Sequence, residues 1–284
     1  MGEKVKKTRK RRTMKAWLKR YFRVLLGGTI LLFVLAFCFV GPIISEYDPD
    51  TINMGNRMAT PSAEHWFGTD DYGRDYFARL AYGGRITIFI ALTAQVFVIL
   101  VGTVNGMLCG YYRKYDNVMS RIMEAIHSLP TLLTVLMIAG LIGTGIPAVV
   151  IAIVIAGLPG ITRSLRGQVL QLRGLEFIEA EKAMGASAPR TIFLHMMPQT
   201  FNYLIIRFST GISSGMLSTA SMAYLGVGIS PDTPNWGGMI SQGQTVMLIY
   251  PNLVVWPGLA IILTMFGFSM LGEGIRDILD PKYR

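Results

Sequence analysis

The chain is written in long uncharged runs separated by short charged ones. Residues 24–44 carry no Asp, Glu, Lys or Arg for 21 positions, residues 86–112 for 27, and residues 125–162 for 38. A helix needs ~20 apolar residues to cross the hydrocarbon core of a bilayer. The first two runs therefore predict one span each. The third predicts two, divided by the turn residues Gly143, Thr144, Gly145 and Pro147. Apolar stretches at about 200–228 and 253–271 bring the expectation to six spans in an all-α polytopic membrane protein.

Between the runs lie segments of different character. Residues 1–23 predict a basic tail, with 11 Lys and Arg against the single acid Glu3. The run at 24–44 is long for a signal-peptide core and no small-x-small cleavage site follows it, which favours an uncleaved first helix. Residues 45–85 form the one sizeable polar loop, with seven acids, four basic residues and several turn formers. Its later part reads as a capped turn entering an interfacial helix, with Tyr72, Tyr76, Phe77 and Tyr82 at headgroup level. Residues 86–275 then form a five-helix core that holds a charged interruption at 176–190, and 276–284 form a short tail. Trp236 and Trp256 fall where an aromatic belt is expected.

That interruption is the most informative stretch. Read as a helix, it places Phe177, Ala180, Ala183 and Met184 on one face, with Glu176, Glu179, Glu181 and Lys182 on the remainder. Gly185 suits a left-handed cap, and Ser187 before Pro189 suits the start of a second helix. On these residues alone, a solvated connection between two spans and a docking element for a soluble partner are equally good readings.

Charge sets the orientation. Residues 1–23, 113–121, 163–190 and 276–284 hold 22 of the 27 basic residues. With six spans these segments share one side, and the positive-inside rule makes it the cytoplasm, so both termini lie inside. The net charge of +10 is thus the mark of a membrane anchor and gives no support to nucleic-acid binding. Cys38 and Cys109 lie within apolar runs, where they serve as packing residues. His127 and His195 have no second ligand at metal spacing. The acids Asp70, Asp71 and Asp75 lack the spacing and closing Glu of a calcium loop.

No P-loop, H-E-x-x-H or G-x-S-x-G occurs, so no catalytic residue and no cofactor is expected, and energy has to come from another subunit. The fifth predicted span carries Ser209, Thr210, Ser213, Ser214, Ser218, Thr219 and several glycines. Small and hydroxyl residues bring transmembrane helices close together or line a wet path. Arg207, the single charge in this span, either lines such a path with Ser214 and Ser218 or snorkels to the cytoplasmic surface.

Glu179, Ala180, Gly185 and Pro198 stand at the positions of the E-A-A, three residues, G, then I-x-L-P signature that this segment resembles. That signature belongs to permease subunits of binding-protein-dependent ABC importers. Glu181, His195 and Met197 depart from it. The stretch from His65 to Asp75, the residues 223–240 and the C-terminal residues 271–284 are similar to the oligopeptide and dipeptide branch.

The resemblance implies a type I importer permease in a bacterial or archaeal cytoplasmic membrane. It also implies a coupling helix that fits a cleft on the ATPase, with Glu179, Ala180, Ala183, Met184, Gly185 and Pro198 as its residues. A second permease forming a heterodimer, two cytoplasmic ATP-binding subunits and an extracytoplasmic solute-binding protein complete the implied complex. Short peptides are the implied substrate, with nickel or metal chelates as the alternative. An ion-driven secondary carrier is the reading from another class; it would place carboxylates inside the spans, and the sequence has none there.

Overall fold

A computed structural model describes residues 2–279, with side chains from Tyr21 onward. Most of the two predicted tails, the side chains of residues 1–20 and all of residues 280–284, lies outside the described residues. The described part is helical: α1 (Gly2–Ile44), α2 (Tyr76–Tyr111), α3 (Arg113–His127), α4 (Thr131–Ile142), α5 (Ile146–Arg173), α6 (Glu176–Ala183), α7 (Ala188–Arg190), α8 (Met197–Gln199), α9 (Phe201–Tyr224), α10 (Trp236–Gln244) and α11 (Asn252–Leu279). A π-helical stretch, Thr191–Met196, joins α7 to α8.

Among the described residues, four helical segments are long and apolar enough to cross a membrane: Tyr21–Ile44, α2, α5 and α11. A fifth is added if α3 and α4, bent by 96° at Ser128–Pro130, count as one broken span. The break follows from Pro130, which disfavours helical geometry in Leu129 before it. Residues 113–121 are therefore the start of a 15-residue helix, where the charge pattern predicts only a short turn. The turn predicted at Gly143 to Pro147 is present, with Gly143 and Gly145 at φ of 107° and 125°, conformations open to glycine at no steric cost. The fifth predicted span corresponds to α9, which has 24 residues but owes its character as much to hydroxyls as to apolar groups.

The central packing event is α2 against α5, the most extensive helix pair in the fold. Gly102, Gly106 and Gly110 recur every fourth residue and so share one face of α2. Against them lie Ile161, Leu165 and Val169 of α5, also at four-residue spacing. A Cβ on Gly106 would sit 2.7 Å from Leu165 Cβ and 3.0 Å from the Thr162 carbonyl oxygen. At Gly102 and Gly110 it would overlap Ile161 and Val169 outright. Lipid competes with side chains for apolar contact, so membrane helices associate through close backbone approach, and this glycine seam provides it. At the same end of the helices a polar network adds specificity. Arg166 of α5 makes a bidentate pair with Asp116 of α3 at 2.5 and 2.6 Å. Asn105 of α2 donates to Thr162 and accepts from Tyr115.

α1 packs along α11, where Gly27 meets the backbone of Gly267 and Leu271. α11 in turn packs on α9, with Ser213 donating to the Met265 carbonyl at 2.9 Å.

The polar loop differs from its sequence reading in a revealing way. α2 begins at Tyr76 and runs unbroken, so the helix predicted at the end of the 45–85 loop is continuous with the second span instead of separate from it. Asp75 caps it by accepting from Ala78 N–H at 2.8 Å, as an N-cap carboxylate should. Asp75 also meets His65 Nδ1 at 2.9 Å, and Asp70 accepts from the Arg74 guanidinium at 2.7 Å and from two backbone N–H groups. Gly73 passes so close to the Asn53 carbonyl that no side chain fits there. Asp71, beside Asp70 and partly desolvated, is held above the usual carboxylate range, chiefly by that burial.

The predicted interfacial aromatics are redistributed as well. Tyr76 is buried, its hydroxyl donating to the Leu253 carbonyl, and Phe77 packs edge-on with Phe37, Trp66 and Phe67. Trp236 is not part of a belt. It is fully buried, donates its indole N–H to the Leu80 carbonyl at 2.9 Å and fills the space that Gly84 leaves free. A buried indole needs such an acceptor. Trp256 stacks on Phe67 at 4.3 Å.

Gly106→Leu is expected to force α2 and α5 apart and to destabilise the solubilised protein by about 1–3 kcal/mol, the usual range for overpacking. Gly167→Ala, where a Cβ meets nothing within 4 Å, is the matched control and gains about 1 kcal/mol of helix propensity. Thermal unfolding in one detergent, compared across the two variants, distinguishes the seam from a general intolerance of larger side chains.

Candidate coupling segment and membrane cleft

α5 leaves the helical bundle at Arg173, and Gly174 and Leu175 turn the chain into α6 within two residues. α6 has one buried apolar anchor. Ile178 is fully buried in a cluster with Leu165 and Val169 of α5 and with Ile192 and Met196 of the π-helical stretch. The face predicted from spacing points the other way. Phe177, Ala180 and Ala183 are exposed, and Met184, in the C-cap position, is 82% exposed. Glu179 is exposed as well. Large apolar groups held out in this manner mark an interaction surface when they are contiguous.

Gly185 follows with φ of 83°, and its N–H and that of Ala186 close onto the carbonyls of Lys182 and Glu181. This is the left-handed C-terminal cap expected from the sequence. Ser187 does start α7, but its side chain makes no capping hydrogen bond; its carbonyl accepts from Thr191 N–H instead. Pro198 opens α8 immediately before α9.

Glu181 is the residue that spacing misplaced. It is only 8% exposed, and the charge expected to face water turns inward beside Ile178, three residues earlier. Its Oε1 lies 3.1 Å from His195 Nε2, close enough for an ion pair though not aligned as a hydrogen bond, and neither carboxylate oxygen has another partner among the described residues. The two side chains that depart from the family signature at positions 181 and 195 thus meet each other, joining α6 to the stretch that leads into α9. Lys182 lies over the Tyr111 ring at 5.5 Å, and Arg173 donates to the Tyr111 carbonyl, which ties the segment to the end of α2.

A second feature lies between the helices. Residues of α2, α4, α5 and α9 line a cleft of roughly 390 Å³ that includes Gln95, Thr131, Arg207, Thr210, Ser214 and Ser218. Three residues singled out in the sequence, Arg207, Ser214 and Ser218, are brought together here. Ser209 and Ser213 are buried against α11, so the two roles open to the hydroxyls of α9 fall to opposite faces of one helix. Arg207 donates to Ser164 Oγ at 3.5 Å and stands 5.7 Å from the Tyr203 ring centre. Its carbonyl accepts from Gln95 Nε2 at 3.1 Å.

Sequence reasoning missed the Asp116–Arg166 pair, Gln95 and the Glu181–His195 contact. Asp116 stands out only as the one acid among the basic residues of 113–121, and nothing local links it to a partner fifty positions away. Among the described residues no group of three or more His, Cys, Asp or Glu is arranged to hold a metal ion.

The architecture is that of an ABC transporter's membrane subunit. It superposes with a TM-score of 0.55 on a chain of the inward-facing MetNI methionine ABC transporter, covering 69% of this chain and 96% of that one at 17% identity. Residues 102–284 match the family described as binding-protein-dependent transport system inner membrane component, and the chain belongs to that family. It is 35% identical over 92% of its length to the oligopeptide transport system permease protein OppC of Bacillus subtilis, covering 86% of that protein. It is also 35% identical over 94% of its length to the dipeptide transport system permease protein DppC of Alkalihalophilus pseudofirmus, covering 88% of it. The glutathione transport system permease protein GsiD of Pectobacterium atrosepticum is 33% identical over 91% of this chain, with 86% of its own length covered. With its several apolar helices, the chain is a multi-pass membrane protein.

His195→Ile is expected to leave the Glu181 carboxylate buried without a partner and to destabilise the segment by roughly 1–3 kcal/mol. Adding Glu181→Ala should restore most of the loss, because both polar groups are then gone. Limited proteolysis across residues 176–198 reads this directly: enhanced cleavage in the single variant and recovery in the double variant are predicted. Equal cleavage in all three proteins would show that the contact contributes nothing.

Proposed function

We propose that this chain is one of two permease subunits of an ATP-driven importer that carries short peptides across the cytoplasmic membrane of a bacterium or archaeon. The observation that carries the reading is α6. It is an exposed short helix presenting Phe177 and Met184 beside the acids Glu176 and Glu179, closed by a glycine cap and standing between the ends of α5 and α9 in a member of this transport family. Its partner is a cytoplasmic ATPase, and Glu179, Ala180, Ala183, Met184 and Gly185 form the contact, with Pro198 setting the exit into α9. The reading takes six spans, counting the broken α3–α4 pair and α9, with α6 facing the cytoplasmic side on which the positive-inside rule puts the basic segments. A second permease, a second ATPase and an extracytoplasmic binding protein complete the complex. ATP hydrolysis belongs to the ATPases.

The mechanism is alternating access. Closure of the ATPases displaces α6, and the displacement passes through α5 and through the foot of α9 to the helices that line the cleft. Arg207, Ser214 and Ser218 belong to the path. Peptides are the substrate class that unites the oligopeptide, dipeptide and glutathione systems named among the relatives. All the lining residues of the cleft are uncharged except Arg207, so the paired carboxylates of an ion-driven carrier are not what it offers.

The test uses Gly185. A β-branched residue is strained at φ of 83°, whereas Asn tolerates the left-handed region. Gly185→Val is expected to insert normally but to lose co-purification of the ATPase in mild detergent, together with ATP-dependent peptide uptake in proteoliposomes. Gly185→Asn should retain both. Undiminished ATPase association in Gly185→Val would remove α6 from the contact.

A further inference from the structure

Resting on the reading of the cleft as the transport path, we infer that Arg207 is the anchor for a carboxylate of the cargo, the C-terminal carboxylate of a short peptide in transit. Three observations converge on it. First, Arg207 is the one charged side chain lining the cleft, and the polar groups around it, Gln95, Thr131, Thr210, Ser214 and Ser218, are neutral. Second, no Asp or Glu forms an ion pair with it among the described residues. Its side-chain partners are a serine hydroxyl at the limit of hydrogen bonding and an aromatic face. A guanidinium has five N–H donors in a planar fork, so most of its donor capacity remains open.

Third, its depth is not that of a surface residue. Arg207 stands six residues beyond Phe201, on the order of 9 Å into α9 at 1.5 Å per residue, and its carbonyl is bonded to Gln95, midway along α2. The side chain leans toward Ser164 and Tyr203, and its backbone lies in the part of α9 that the proposed six-span reading places in the membrane. A cation kept at that depth without a fixed counter-ion is costly, which marks it as functional by default. The group that best repays the cost is a mobile anion able to take two parallel hydrogen bonds, and a carboxylate does so.

The surrounding hydroxyls and the Gln95 amide supply the neutral donors and acceptors that a peptide backbone needs. The cleft, at roughly 390 Å³, falls within the range of small-molecule sites. A bare metal cation would be repelled by the same charge. The anchor thus makes the cleft a carboxylate-selective station, a specificity element of the permease that is separate from any selection made by the binding protein.

The experiment measures maximal uptake in proteoliposomes that contain the whole complex, at saturating loaded binding protein, so that capture drops out. The probes are a labelled short peptide as its free acid and as its C-terminal amide, both first shown to occupy the binding protein. The wild-type complex is expected to move the acid about tenfold faster than the amide, the worth of one charge-assisted contact. Arg207→Gln should bring the acid down to the amide rate, Arg207→Lys should recover part of the difference, and both variants should keep full assembly. An unchanged acid-to-amide ratio in Arg207→Gln would overturn the anchor. Loss of the second permease on purification of that variant would also overturn it, since Arg207 would then pair with an acid of the neighbouring subunit. Absence of ATP-dependent uptake of either peptide by the wild-type complex would instead overturn the transport reading itself, a failure distinguishable from the other two.

Discussion

The close approach of α2 and α5 is the constraint on which the rest depends. In lipid, apolar side chains gain little by leaving one hydrocarbon surface for another, so two helices stay together only where their backbones come near enough for dense contact. Gly102, Gly106 and Gly110 allow this along more than two turns, and Ile161, Leu165 and Val169 fill the groove they leave. The consequence reaches beyond packing. α5 runs on into α6, and Leu165 and Val169 belong to the same cluster that buries Ile178. The seam that holds the bundle therefore also seats the exposed α6.

The second tie to α6 comes from the other side. Ile192, His195 and Met196 lie on a π-helical stretch, a geometry that occurs mostly as a local insertion at functional positions. This stretch carries His195 to Glu181 and then continues through Pro198 into α9, the helix whose one face packs on α11 and whose other face lines the cleft. α6 is thus held between α5 and α9, two of the helices that border the cleft, resting on the Ile178 plug and the Glu181–His195 contact, with most of its remaining surface exposed. A displacement imposed on that free surface has two rigid outlets, α5 and the foot of α9.

Much of this was legible before any coordinates. Uncharged runs located the long helices because lipid imposes a minimum length. The pairing of Gly143 with Gly145 marked the hairpin, and the glycine at 185 marked the cap, because left-handed backbone has few other occupants. What remained hidden depended on contacts between distant residues. Whether Glu181 faces water or His195 turns on the placement of a stretch fourteen positions away, and helical spacing alone put it with the exposed acids. Trp236 has the composition of a belt residue and the environment of a core residue, the difference being made by Gly84 and the Leu80 carbonyl. That the interfacial helix and the second span are one continuous α2 was hidden because Arg79 and Arg85 interrupt the uncharged run. In the structure Arg79 donates to the Pro49 carbonyl and Arg85 to the Cys38 and Phe39 carbonyls. The glycine period on α2 was present in the sequence and acquired meaning only once α5 was found against it.

The most direct test of the account is the sidedness of the cleft during the ATPase cycle. Ser214, on the exposed side of α9 within the cleft, is replaced by cysteine in the assembled complex, where the native Cys38 and Cys109 are buried. A membrane-impermeant thiol reagent is then applied from each side, without nucleotide and with ATP trapped on the ATPases. The account predicts labelling from the cytoplasmic side without nucleotide and from the outer side with ATP trapped. Labelling from the same side in both states, or from neither, would contradict a cleft whose access is switched through α6.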